Sequence, residues 1–306
     1  MARKNDLYLL LAVAGLPILP GCAIHRQAYY VSPFNGNNNE YQPLPTQVDG
    51  HSALYSSMAF SSGQTNDLGT DHYWSLNTSV CAAHQFGFLQ FHYGANLSLG
   101  SYTMGKWYVD SVRRSIYGYN PPSNDLPYAS QLNTRSGPHF FGGVGFLGGI
   151  NGNLPFEVGE WRFLGVETSL AHEFGDYLAV RRQMPDSIAT LINRDPLFAT
   201  IGLNTELVLY GRHGEAGFRF AYGWALGPEY SNPGIHDNTT DKTLHFTYFN
   251  ASFHYTYLQI TGFVQVTDAT KSSGIVLGIN YRLWASAKPK RVEAPDGPDY
   301  RNRLPK

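Results

Sequence analysis

The chain has 306 residues and a formal net charge of −1, so no global field points to nucleic acid. Charged residues make up 15%, against about 25% in ordinary soluble domains, while aromatics reach 14%, with 21 Tyr and 18 Phe beside 32 Gly. A mean hydropathy of −0.28 excludes a helical membrane protein; few charges and many aromatics suit a β-barrel with one face in lipid.

Arg3 and Lys4 give a positive start, and the apolar run Leu7 to Leu19 is 13 residues long. A bilayer-spanning helix needs about 20, so the run fits the apolar region of a signal peptide. Leu19-Pro20-Gly21-Cys22 then places a hydrophobic residue three before a cysteine and a small one just before it. This resembles the lipobox of bacterial lipoproteins. The resemblance implies cleavage before Cys22, a signal peptide over 1–21 and a covalent lipid on Cys22 as the sole attached group. The competing readings are a secreted protein cut elsewhere and a short membrane anchor. The only other cysteine is Cys81. Acylation of Cys22 leaves it without a partner, so no disulfide framework forms; a Cys22–Cys81 disulfide is the alternative.

Residues 22–50 are rich in Asn, Gln, Pro and Tyr, show no periodicity, and read as a lipidated irregular tether. From about residue 52 the pattern turns to period two, the spacing that sends alternate side chains to opposite faces of a strand. Ten segments follow, near 52–62, 71–83, 86–100, 138–150, 161–174, 197–210, 214–226, 243–255, 256–267 and 273–284. They exceed the five or six residues typical of globular strands and reach the roughly 9–11 that a tilted strand needs to cross a bilayer. In the third segment Leu89, Phe91, Tyr93, Leu97 and Leu99 oppose Gln90, His92, Asn96 and Ser98. In the seventh, Phe218, Phe220, Tyr222 and Trp224 oppose Gly217, Arg219 and Gly223. A soluble lipocalin-like barrel shows the same alternation with its apolar face inward. Its outer surface needs abundant Lys and Glu, yet all seven Lys fall outside the ten segments. The membrane barrel is therefore preferred, with the small polar residues facing a narrow lumen. The first segment is ambiguous, since Ala53, Tyr55 and Ala59 alternate with Leu54, Met58 and Phe60; eight or twelve strands are the alternatives to ten.

Connections after segments three, five and seven are long, and those after two, six and eight are short. Outer-membrane barrels carry long loops outside and short turns on the periplasmic side. Ten strands bring this alternation into phase and put both ends of the barrel domain, 51–284, on the short-turn side. The connection 151–160 is longer than a tight turn. The last segment resembles the closing strand recognised by barrel-assembly machinery, through Gly278, Tyr281 and Leu283. A charged tail over 285–306 follows, rich in Lys, Arg, Asp and Pro, and reads as disordered and periplasmic.

Lipobox, Asn-rich lead and barrel pattern together resemble the uncharacterised barrel lipoproteins of Bacteroidota outer membranes. The resemblance is one of architecture, implies an outer-membrane location, and brings no catalytic motif. Surface-exported lipoproteins of that phylum carry an acidic cluster soon after the cysteine. Ala23-Ile24-His25-Arg26-Gln27 has none, so an anchor on the periplasmic side is expected.

Few constellations point to chemistry. Gly143-Val144-Gly145-Phe146-Leu147-Gly148 spells GxGxxG, but inside a strand pattern with no helix opening on it, so the glycines read as sites of close strand approach. His172-Glu173 begins like HExxH, yet position 176 is Asp and the two point to opposite faces. No metal site is expected. A lipid-modifying enzyme needs a nucleophile with a base and an acidic partner; His51-Ser52 offers ingredients without recognisable spacing. By parity Glu167, Glu173, Glu206, Glu215, Arg219 and Arg282 all face the lumen. Charges there must pair or hydrate, giving either an ion-pair network that fills the interior or a selective pore. The loop aromatics Trp107, Tyr117 and Tyr119 are candidates for contacting a partner or glycan. The function expected is non-enzymatic, structural or accessory to an envelope complex. Partners are outer-membrane lipid and other envelope proteins, reached through loops or tail. The alternatives are a small pore or ligand-binding barrel, and a lipid-modifying enzyme.

Overall fold

A computed structural model describes residues 29–34, 40–44, 52–65, 71–105, 133–184, 191–226, 246–269 and 272–286. The signal-peptide region, Cys22, the loop aromatics Trp107, Tyr117 and Tyr119, and the tail beyond 286 lie outside them.

The period-two segments form ten antiparallel strands: β2 (Ser52–Thr65), β3 (Asp71–Phe86), β4 (Leu89–Met104), β5 (Gly137–Phe156), β6 (Gly159–Phe174), β8 (Leu197–Tyr210), β9 (Glu215–Leu226), β10 (Phe246–Tyr257), β11 (Ile260–Ala269) and β12 (Ser272–Ala285). Each pairs with its sequence neighbour, and β12 pairs with β2, from Ser272 opposite Thr65 to Ala285 opposite Ala53, so the sheet closes. Closure leaves no strand edge unpaired, a requirement for backbone surrounded by hydrocarbon. The 151–160 connection is a hairpin whose strands run on to Phe156 and from Gly159. The ambiguous first strand turns Ala53, Tyr55 and Ala59 inward and Leu54, Met58 and Phe60 outward.

The outward face is apolar. Leu203, Leu207, Phe220, Leu277 and Ile279 are all exposed, as are their counterparts on every other strand. Monomeric soluble proteins rarely expose contiguous apolar patches beyond a few hundred Å², so this surface identifies lipid as its solvent. Aromatics gather at its two margins: Trp74, Phe140, Phe174 and Trp224 at the long-connection end, and Phe86, Tyr93, Trp161, Tyr257 and Trp284 at the short-turn end. From Trp74 to Phe86 along β3, about 3.3 Å per residue at a tilt near 40° spans roughly 30 Å, the thickness of a bilayer core.

The connection between β6 and β8 folds over the barrel mouth. It contains helix α1 (Asp176–Arg182) and strand β7 (Leu191–Ile192). β7 pairs in parallel with β1 (Tyr29–Tyr30), upstream of the barrel. Tyr30, Phe34, Tyr102, Phe141, Tyr177, Met184, Ile192 and Phe198 pack into one buried apolar cluster that caps this end.

Residues 29–34 and 40–44 depart from the irregular tether expected of them. Their side chains from Tyr30 onward are buried inside the barrel. Tyr29 to Phe34 also stand at the long-connection end, whereas the start of the chain was expected beside the short turns. Apolar side chains at Tyr30, Phe34, Tyr41 and Leu44 account for the difference: without periodicity they mark no strand, but each fits a concavity of the wall.

Candidate functional site

Among the described residues, polar and ionisable side chains concentrate away from solvent in the lumen, in three tiers. Nearest the short turns, Arg162 donates through Nη2 to Glu160 Oε1 and through Nη1 to Glu206 Oε2, both at 2.6 Å, with side-chain exposures of 2% or less. Asn153 Nδ2 and the Tyr210 hydroxyl donate to Glu160 Oε2 at 3.1 and 3.0 Å. His254 Nε2 lies 2.8 Å from Glu206 Oε1. The ring of Tyr41 stacks on that imidazole, with centroids 4.4 Å apart and planes 18° from parallel.

In the middle tier Arg219 donates to Glu167, which also accepts from the Tyr248 hydroxyl at 3.1 Å and from Asn204 Nδ2 at 3.3 Å. Beneath the cap, Arg181 of α1 pairs with Glu173 and lies 4.7 Å over the ring of Tyr177. Every carboxylate here is met by a cation or several donors, which offsets a desolvation penalty of several kcal/mol per buried ion.

The N-terminal segment is woven into all of this. Ser32 Oγ donates to Glu173 at 2.6 Å, and the Tyr177 hydroxyl donates to the Val31 carbonyl at 3.1 Å. Phe34 lies against Gly143, where a Cβ would collide with its ring; this is the close approach that the glycine-rich strand permits. Lower down, Gln42 Nε2 donates to Ser79 Oγ at 3.3 Å, and the Leu44 carbonyl accepts from Arg162 Nη2 at 3.2 Å. Glu40 is buried beside Asn77, with which its carboxyl shares a hydrogen bond.

Of the ionisable residues placed by parity, Glu167, Glu173, Glu206 and Arg219 are buried in these tiers. Glu167 and Arg219 come together. Glu206, cross-strand neighbour of Arg219, engages Arg162 instead. Glu215 and Arg282 face inward at the short-turn rim and line a cleft with Tyr41 and Leu44. Gly278 lies under Phe263, while Tyr281 and Leu283 point outward near the closing seam.

Parity missed Arg162 and Glu160 for a definite reason. Arg162 pairs with Glu206, but Gly165 pairs with Asn204, so β6 carries one extra residue. At this bulge Phe163 and Leu164 both point outward. The inward set therefore switches from odd numbers above it to even numbers below. Arg181 and Tyr41 come from non-strand segments and carry no periodic signal.

The GxGxxG lies within β5, paired to β4 and β6 throughout. His172 faces out and Glu173 in. Ser52 Oγ and His84 Nδ1 are 2.8 Å apart on the outward side, and His84 Nε2 is 3.3 Å from the Tyr93 hydroxyl, where a triad places a carboxylate. Cys81 is buried as a thiol. Among the described residues no three His, Cys, Asp or Glu are grouped to hold a metal ion.

No protein-family model matches the chain, and no curated protein matches it. Among solved structures it is similar to the translocator domain of autotransporter NalP from Neisseria meningitidis, at 9% identity and TM-score 0.35, covering 76% of this chain and 88% of that one. It is similar to LpxR from Salmonella typhimurium at 9% identity and TM-score 0.34, over 75% and 99% of the two chains. A third is the outer membrane protease OmpT from Escherichia coli, at 9% identity and TM-score 0.31, covering 79% and 99%. These neighbours are outer-membrane β-barrels of differing activities, and the likeness to them is one of barrel architecture.

Proposed function

We propose that the chain is an outer-membrane barrel lipoprotein, lipidated at Cys22, that serves as a non-conducting, non-enzymatic scaffold in an envelope assembly. The observation that carries this reading is the occupied lumen. Residues 29–34 and 40–44 fill it, three ion-pair tiers cross it, and an aromatic cap covers its mouth. A pore needs a continuous hydrated path, which favours the scaffold over the channel. The Ser52–His84 pair, with a tyrosine in the third position, favours it over a lipid hydrolase. The long connections then face the exterior and offer the surface through which partners bind, with the tail over 287–306 reaching periplasmic ones.

The test is planar-bilayer recording on the purified protein, with pull-down from native membranes. Silence in the bilayer together with a reproducible co-purifying envelope protein supports the scaffold. Stable conductance steps altered by Glu206→Gln or Arg219→Met establish the pore instead. Lipid hydrolysis lost on Ser52→Ala or His84→Ala establishes the enzyme.

A further inference from the structure

The route of the N-terminal segment has a topological consequence. Tyr29 and Tyr30 pair with Leu191 and Ile192 in the long connection between β6 and β8. The Asn193 N–H donates to the Tyr30 carbonyl at 3.0 Å. Ser32 meets Glu173, one residue from the long-connection end of β6. Further along the chain, Glu40 sits by Asn77, Gln42 by Ser79, and Leu44 packs with Ala53, Tyr55 and Ala83. Asn77, Ser79 and Ala83 follow one another down β3 toward the short turns. The segment therefore runs in step with β3 through the interior and delivers the chain to Ser52, where β2 begins at the opposite end.

We infer that the chain threads its own barrel from the long-connection face, so that residue 22 and any lipid it carries emerge on that face and insert into the leaflet there. The placement of the lipid rests on Cys22 being acylated, as proposed above; the threading does not. Reach makes the placement obligatory. Seven Cα-to-Cα steps lead from Cys22 to Tyr29, and a fully extended chain covers at most about 3.6 Å per step, or roughly 25 Å. The 14-residue strand β8, at about 3.3 Å per residue and a tilt near 40°, makes a wall about 35 Å tall. The lumen is already occupied, and outside the wall lies hydrocarbon, where irregular backbone is not tolerated. The anchor therefore has no route back to the short-turn side. With long loops outside, the lipid sits in the outer leaflet, opposite to what the missing acidic cluster after Cys22 suggests. The partner of this terminus is a lipid surface on the same side as the long loops.

Three epitope-tagged full-length versions test this, with the tag between Arg26 and Gln27, between Gly234 and Ile235 in the 227–245 connection, or after Lys306. The first two tags are expected to bind antibody on intact cells, and the third only after permeabilisation. A first tag that behaves like the third overturns the threading. A second measurement covers the case in which the first tag blocks assembly. Gln42→Cys with Ser79→Cys, in a Cys81→Ser background, is bridged by a short bifunctional thiol reagent in the folded barrel. No bridging, while a control pair of cysteines at the facing wall positions Ser61 and Val276 is bridged in the folded barrel, overturns the proposal. Mass spectrometry of wild type and Cys22→Ser separates the two readings. An unlipidated terminus that is still exposed on cells refutes the lipoprotein and leaves the threading standing. A lipidated terminus found only on the short-turn side refutes the threading.

Discussion

Replacing Arg162 by Met isolates the most demanding interaction in the lumen. Arg162 is 1% exposed, bridges Glu160 and Glu206 at 2.6 Å each, and donates to the Leu44 carbonyl. The substitution keeps most of the volume but leaves two carboxylates without their shared cation. Removing one partner of a buried pair destabilises by about 3–5 kcal/mol, at least a hundredfold in the folded-to-unfolded ratio at about 1.4 kcal/mol per decade. Asn153, Tyr210 and His254 continue to contact the carboxylates, which sets the expectation at the lower end of that range. The assay is reversible urea unfolding in lipid vesicles, followed by the fluorescence of the outward tryptophans. Adding Glu160→Gln and Glu206→Gln to Arg162→Met removes both orphaned charges and is expected to recover more than half of the loss. A single Arg162→Met variant within about 0.5 kcal/mol of wild type refutes the view that these charges are desolvated and paired.

Gly143→Val is expected to collide with the Phe34 ring at a cost of about 1–3 kcal/mol in the urea titration, and the cost is expected to shrink in a Phe34→Ala background that removes the ring; an equal cost in both backgrounds argues against the packing. Leu203→Arg, on the lipid face of β8, is expected to destabilise by about 2–4 kcal/mol in vesicles, whereas Thr200→Ser, on the lumen face of the same strand, is expected to have a smaller effect, read in the same urea titration.

The barrel was legible because period-two alternation survives over ten segments and because long and short connections alternate in phase. Strand lengths were underestimated at β5 and β6, where Asn151 to Phe156 lack alternation and read as a loop. On β6 the polar face was legible only above the bulge at Phe163 and Leu164; below it a single inserted residue hid Arg162 and Glu160. The occupancy of the lumen was not legible at all. Tyr30, Phe34, Tyr41 and Leu44 lie in a stretch rich in Asn and Pro, and irregular backbone filling a cavity leaves no period in a sequence. Arg181, from a short helix in a connection, reaches Glu173 only because the β6–β8 crossover folds over the mouth, a tertiary event no local pattern records.

The account depends on the outer face being dissolved in lipid, and the protein carries its own reporters of this. Trp74, Trp161, Trp224 and Trp284 all point outward at the two aromatic margins. In vesicles made with lipids brominated along the acyl chain, their emission is expected to be quenched most by bromines near the interface. A tryptophan introduced as Leu203→Trp is expected to be quenched most by bromines near the chain ends. Emission insensitive to bromine position for both sets, with the protein folded, contradicts the membrane-spanning barrel.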